Sequence, residues 1–213
     1  MLWDVVVPAR DHGATLGATL RTLSQSGSGV RSIVVVDRGS RDRTAELARD
    51  AGAVVLHEPR GGYGAACLRA AAHFQSLPRA PDALVFVPGD RPAAASMVAA
   101  LVEPIEARGC ELVLGGEHGR PAIRTKLVTG LIDTVYRARW SGVGPVRAVE
   151  FPALIALGMS DRGDGWDVEM LVRAAKLGLS CDEVKLPPES LGNEPKPHLG
   201  RALLHILRHS TMR

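Results

Sequence analysis

Aromatic side chains are scarce in this chain, at 4% of its 213 residues. A core must therefore be built from Ala, Val and Leu, and the aromatic platforms on which single-stranded nucleic acid stacks are missing. No apolar run approaches the roughly 18 to 20 residues that cross a bilayer. Met1-Leu2-Trp3 leads straight into a strand-like segment, without the charged start and apolar centre of an export signal. Cys67, Cys110 and Cys181 are odd in number and have no metal-type spacing. That argues against a disulfide framework and for reduced thiols in the cytoplasm. Neither sign of charge is in large excess, the formal net charge being +3, so nucleic acid is not an expected partner. The tail departs from this balance: Lys196, Arg201, Arg208 and Arg213 stand there with three histidines and no acid. Such an end suits the inner face of an anionic membrane, a ligand phosphate, or plain solvent.

What is present is a repeated alternation. Val5 to Pro8, Ser32 to Asp37, Ala53 to His57 and Asp82 to Val87 are short apolar runs that read as strands. Helical spacing follows each: Leu16, Leu20 and Leu23; Ala45 to Ala51; Ala65 to Phe74; Ala94 to Arg108. Strands that are apolar throughout belong in a parallel sheet covered by helices on both faces. After a further run, Glu111 to Gly115, the rhythm breaks into a loop containing His118, a helix from about Lys126 to Arg139, and another from Asp167 to Lys176. Neither a linker nor an internal repeat divides the chain, so the fold class is α/β in a single domain spanning 1–213.

Ligands of open α/β sheets gather beyond the carboxyl ends of the strands. Candidates therefore stand at Pro8, Ala9, Arg10 and Asp11, at Asp37, Gly39 and Ser40, at Arg60 and Gly62, and at Asp90 in Pro88-Gly89-Asp90. A carboxylate there can accept from a base or ribose, helix N-termini favour phosphates, and glycine lets backbone approach a pyrophosphate. The same residues also make ordinary turns and helix caps. The glycine spacings of the dinucleotide fingerprint and the phosphate loop are missing.

Taken in order, Val5-Val-Val-Pro-Ala9, Val34-Val-Val-Asp-x-Gly-Ser-x-Asp-x-Thr44 and His57-Glu-Pro-x-x-Gly-Tyr-Gly-Ala-Ala66 resemble family 2 glycosyltransferases of the GT-A fold. Gly144-Pro-x-Arg-Ala148, Ala156-Leu-Gly-Met159 and Asp161-Arg-x-x-Gly-Trp-Asp-Val-Glu-Met170 extend the likeness, which is closest to the polyprenyl- and dolichyl-phosphate mannose and glucose synthases. The resemblance implies inverting transfer of a hexose from a UDP- or GDP-linked donor, with Mg²⁺ or Mn²⁺, to a hydroxyl- or phosphate-bearing acceptor such as a lipid phosphate. Residues 1–115 would bind the nucleotide sugar and 116–213 the acceptor, in an arrangement compatible with an oligomer. Asp167 and Glu169 are the catalytic candidates, and Arg147 and Lys196 the candidate acceptor contacts.

The chain departs from the family pattern where charge matters. The family's Asp-x-Asp at the end of the fourth strand is Pro88-Gly89-Asp90 here, leaving Asp90 as the metal candidate. Arg38 stands where a second Asp is usual, and Arg10-Asp11-His12 replaces Tyr-Asn-Glu. Losing acids weakens a site for hard cations, while arginine can meet a diphosphate directly. Two other readings therefore stay open: a sugar-nucleotide-binding domain without catalysis, and a nucleotidyltransferase, whose Pro-x-Asp-x-Pro strand end Pro88 to Pro92 also resembles.

Overall fold

A computed structural model describes residues 1–27, 29–116, 123–137, 140–190, 200 and 204–205. Its centre is β1 (Trp3–Ala9), a seven-residue strand buried along its whole length. Parallel strands flank it: β2 (Val30–Asp37) on one side, followed by β3 (Val54–His57), and β4 (Ala83–Phe86) on the other. Two-residue alternation then sorts the side chains into layers. Val6, Val34, Val36, Leu84 and Phe86 join one apolar cluster, and Val5, Val7, Val35, Val85 and Val87 the other.

Helices cover both faces, as continuously apolar strands require. α1 (Leu16–Ser24), α4 (Pro92–Ala95) and α5 (Val98–Arg108) bring Leu16, Leu20, Leu101 and Ile105 to the second cluster, which Ala48 of α2 (Thr44–Asp50) joins. α3 (Tyr63–Gln75), α6 (Ile123–Tyr136), α7 (Phe151–Leu157) and α8 (Trp166–Leu177) close over the first with Phe74, Ile132, Leu154 and Trp166. The single helix expected from Ala94 to Arg108 is two. The Ser96 hydroxyl turns back onto the Ala93 carbonyl, and the chain starts a new helix after Met97.

The sheet is mostly parallel, but the later half of the chain enters it unexpectedly. β5 (Leu112–Gly116), β6 (Arg147–Glu150) and β7 (Cys181–Lys185) complete the order β3-β2-β1-β4-β6-β5-β7. β6 runs antiparallel to both β4 and β5, and so separates two strands that are neighbours in sequence. One sheet therefore contains strands from before and after residue 116. No helix among the described residues is long and apolar enough to cross a membrane.

Candidate functional site

The loops beyond β1 and β2 are sewn together by their own polar groups. Asp11, at φ 53°, donates its N–H to Ser40 Oγ at 3.0 Å and accepts from the Arg41 N–H at 2.7 Å. The His12 N–H reaches Thr44 Oγ1 at 2.9 Å, and the Gly13 N–H reaches Asp42 Oδ2 at 2.8 Å. Asp37 accepts the Ser40 N–H at 3.1 Å, and its other oxygen lies 3.3 Å from His57 Nδ1. These contacts give Asp11, Asp37 and Ser40 the work of shaping the loops. Ala9 is buried behind Pro8, Gly39 packs over Pro59 at φ 75°, and Arg10 and Arg60 are exposed.

Beyond β4 the chain turns tightly. The Gly89 N–H donates to the Pro8 carbonyl at 3.2 Å, and the Gly89 carbonyl accepts from Thr19 Oγ1 at 3.0 Å. A Cβ at Gly89 would lie 2.9 Å from His12 Nδ1, so glycine alone lets the β4 turn close against the β1 loop. This delivers Asp90 to the surface of a cavity of about 210 Å³ lined also by Pro8, His12, Arg38, Pro88 and Arg91. The Asp90 side chain is 44% exposed and lies 3.8 Å from the Nε of Arg91, which is nearly buried.

The far part of the chain completes the cavity with Tyr63, Val143, Pro145, Asp164, Asp167 and Val168. Arg147, fully buried on β6, donates to Asp167 Oδ1 at 2.7 Å and to the Gly144 carbonyl. Burial pushes the Asp167 carboxyl up to about 6, against the pull of Arg147 and Arg91 and with the push of Asp164 and Asp161. Tyr63 donates its hydroxyl to the Pro145 carbonyl at 3.2 Å, tying α3 to the loop before β6.

Asp167 and Glu169, two apart on α8, point different ways. Glu169 is fully buried and accepts from Ser160 Oγ at 2.6 Å, the Asp161 N–H at 2.7 Å and Arg173 Nε at 3.0 Å. Burial alone would raise its carboxyl, but the bonds from Ser160 and Asp161 and the Arg173 charge outweigh it and hold it below the usual range. Glu169 thereby anchors the loop from which Asp164 reaches the cavity.

That loop explains the glycines at the start of α3. The Gly62 and Ala65 N–H groups donate to the Arg162 carbonyl and the Gly64 N–H to the Gly163 carbonyl, at 2.9 to 3.0 Å. A Cβ at Gly62 would lie 2.7 Å from Gly163 Cα, and one at Gly64 2.1 Å from the Asp161 carbonyl. The close backbone approach expected for a pyrophosphate is made instead to another loop of the chain. Lys196, His118 and the basic residues of the tail lie outside the described residues.

Arg91 and Asp164 join the cavity beyond the candidates that the sequence offers. The signal for Arg91 is a cation beside Asp90 at a strand end, and for Asp164 an acid one turn ahead of Asp167. Among the described residues no three His, Cys, Asp or Glu side chains are grouped to hold a metal. The donor set still fits Mg²⁺ or Mn²⁺ arriving with its ligand, since such ions need only one or two carboxylates besides substrate phosphates and water. Asp90 offers one.

The model of glycosyl transferase family 2 matches residues 4–127, more than half of the chain. An uncharacterized glycosyltransferase of Mycobacterium tuberculosis is 32% identical over 182 residues, covering 82% of this chain and 79% of the relative. Glucosyl-3-phosphoglycerate synthase from the same organism, solved with Mn²⁺, UDP and phosphoglyceric acid, superposes with a TM-score of 0.80 at 23% identity. That likeness covers 100% of this chain and 79% of the synthase chain. A second structure of the synthase, solved with phosphoglyceric acid, gives a TM-score of 0.76 at 25% identity over 97% of this chain and 77% of its own. By the family match, the related sequences and the shared GT-A architecture, the chain belongs to glycosyl transferase family 2.

Proposed function

We propose that the protein transfers a hexose from a UDP- or GDP-linked donor to a phosphate- or hydroxyl-bearing acceptor, with inversion at the sugar. The observation that carries this reading is one cavity at the strand ends that combines a half-exposed carboxylate, Asp90, with a buried one, Asp167. The synthase structures, whose bound molecules are Mn²⁺, UDP and phosphoglyceric acid, support the donor and acceptor classes. Asp90 would hold the divalent ion, which when bound neutralises charge developing on the leaving diphosphate.

The chain's own groups do the rest. Pro8 and the β1 turn form one wall for the donor, and Arg91 adds positive charge beside Asp90. For a hydroxyl acceptor, Asp167 takes the proton as the acceptor oxygen bonds to the anomeric carbon and the diphosphate departs with the bonding electrons. Its raised pKa suits that task, and Arg147 fixes its orientation. For an anionic phosphate acceptor no base is needed, and Asp167 positions groups instead. A lipid phosphate met at a membrane surface is the finer form of the acceptor, with Lys196 and the basic tail as its contacts.

Calorimetric titration with UDP-glucose and GDP-mannose, with and without Mn²⁺, tests this reading. Metal-strengthened donor binding that disappears in Asp90→Ala is the expected result; binding of a nucleoside triphosphate only would overturn it. Pro88, in place of the family's first acid, favours a second reading as a sugar-nucleotide-binding domain without catalysis. Donor binding without either transfer or slow donor hydrolysis would select it.

A further inference from the structure

Arg38 is one of two arginines, with Arg91, that line the cavity. Arg147 has Asp167, and Arg91 lies beside Asp90. Arg38 has no carboxylate within ion-pair distance among the described residues, and its Nε, like that of Arg147, is shielded from solvent without a hydrogen-bond partner there. Val34 and Val36 face the layer of α3 and α8 and Val35 the other, and Arg38 follows directly on the end of β2 at Asp37. Arg38 lines the cavity together with Tyr63, whereas Asp37 is occupied by the Ser40 and His57 groups. Its backbone is held in place by an N–H donated to the Ala9 carbonyl at 2.9 Å.

A partly buried guanidinium without a counter-charge is unfavourable until an anion meets it. Its planar fork matches two phosphate oxygens better than one carbonyl or hydroxyl. We propose that Arg38 is a phosphate contact of this cavity, supplied by this chain where family members usually have an acid. The inference rests on the glycosyltransferase reading for the identity of the ligand, but its chemistry, phosphate against guanidinium, is the same for a donor diphosphate and a phosphorylated acceptor.

Binding by the full-length protein decides it, using uridine, UDP, inorganic pyrophosphate and phosphoglyceric acid as probes, with and without Mn²⁺. Arg38→Met keeps the apolar stem and Arg38→Lys the charge; thermal melting checks that both variants are folded. The expected result is a roughly ten- to hundredfold loss of UDP and pyrophosphate affinity in Arg38→Met, partial recovery in Arg38→Lys, and unchanged uridine affinity. Loss confined to phosphoglyceric acid assigns the contact to the acceptor and also upholds the proposal. Equal affinity of wild type and Arg38→Met for every phosphate probe, or no phosphate binding by the wild type, overturns it. Failure of the wild type to bind any nucleotide overturns the glycosyltransferase reading, while pyrophosphate and phosphoglyceric acid still decide the role of Arg38.

Discussion

Asp167 is held by two opposed forces: burial against its charge and the Arg147 guanidinium in favour of it. Burial wins, and the carboxyl titrates at about 6. In the proposed role as base the carboxyl must be ionised, so kcat/KM for a hydroxyl acceptor is expected to fall about tenfold per pH unit below this value. Asp167→Asn should lower the rate at least about a hundredfold at neutral pH. Stability moves the other way. In the unfolded chain the carboxyl titrates near 4, so between about pH 4 and 6 the folded protein binds the extra proton. The contribution of this group is present at low pH and lost as pH rises through about 6. Melting temperatures from pH 4.5 to 8 should show that slope in the wild type, and a shallower one in Asp167→Asn.

Glu169 has a different job on the same helix. Its carboxylate fastens Ser160 and Asp161, and the next residues of that loop receive the N–H groups that begin α3. Glu169→Ala leaves those donors and the Arg173 Nε without their acceptor, and is expected to cost about 3 kcal/mol in chemical denaturation. Much of this was visible in the sequence, and the reasons for the remainder are physical. The centres of β1, β2 and β4, Val5-Val-Val7, Ile33-Val-Val-Val36 and Leu84-Val-Phe86, are short apolar runs that read as buried strands, and the strand-end position of Asp90 followed from them. β6 was hidden because Arg147-Ala-Val-Glu150 is four residues long and charged at both ends. Arg147 is at home in the core because Asp167, twenty residues later, and the Gly144 carbonyl are there to meet it. Gly62 and Gly64 announced a close approach, but local sequence holds no information about which backbone comes near.

Taken together, the elements do not separate at residue 116. Insertion of β6 between β4 and β5 means that a fragment of residues 1–115 would carry β4 and β5 without the strand that joins them. Such a fragment is expected to fail to fold cooperatively. Circular dichroism and limited proteolysis of the 1–115 and 116–213 pieces, alone and mixed, would check this. Two independently melting pieces would overturn this expectation.

The same insertion sets an order of events during synthesis. β4 leaves the ribosome about sixty residues before β6, and at roughly 5 to 20 residues per second several seconds pass in which its edge carries unanswered backbone N–H and C=O groups. Pairing across that distance is slow compared with the local pairing of a hairpin. Between β4 and β6 the nascent chain thus carries an open edge on which other chains can pair, and slower elongation between residues 87 and 146 would lengthen that hazard rather than relieve it.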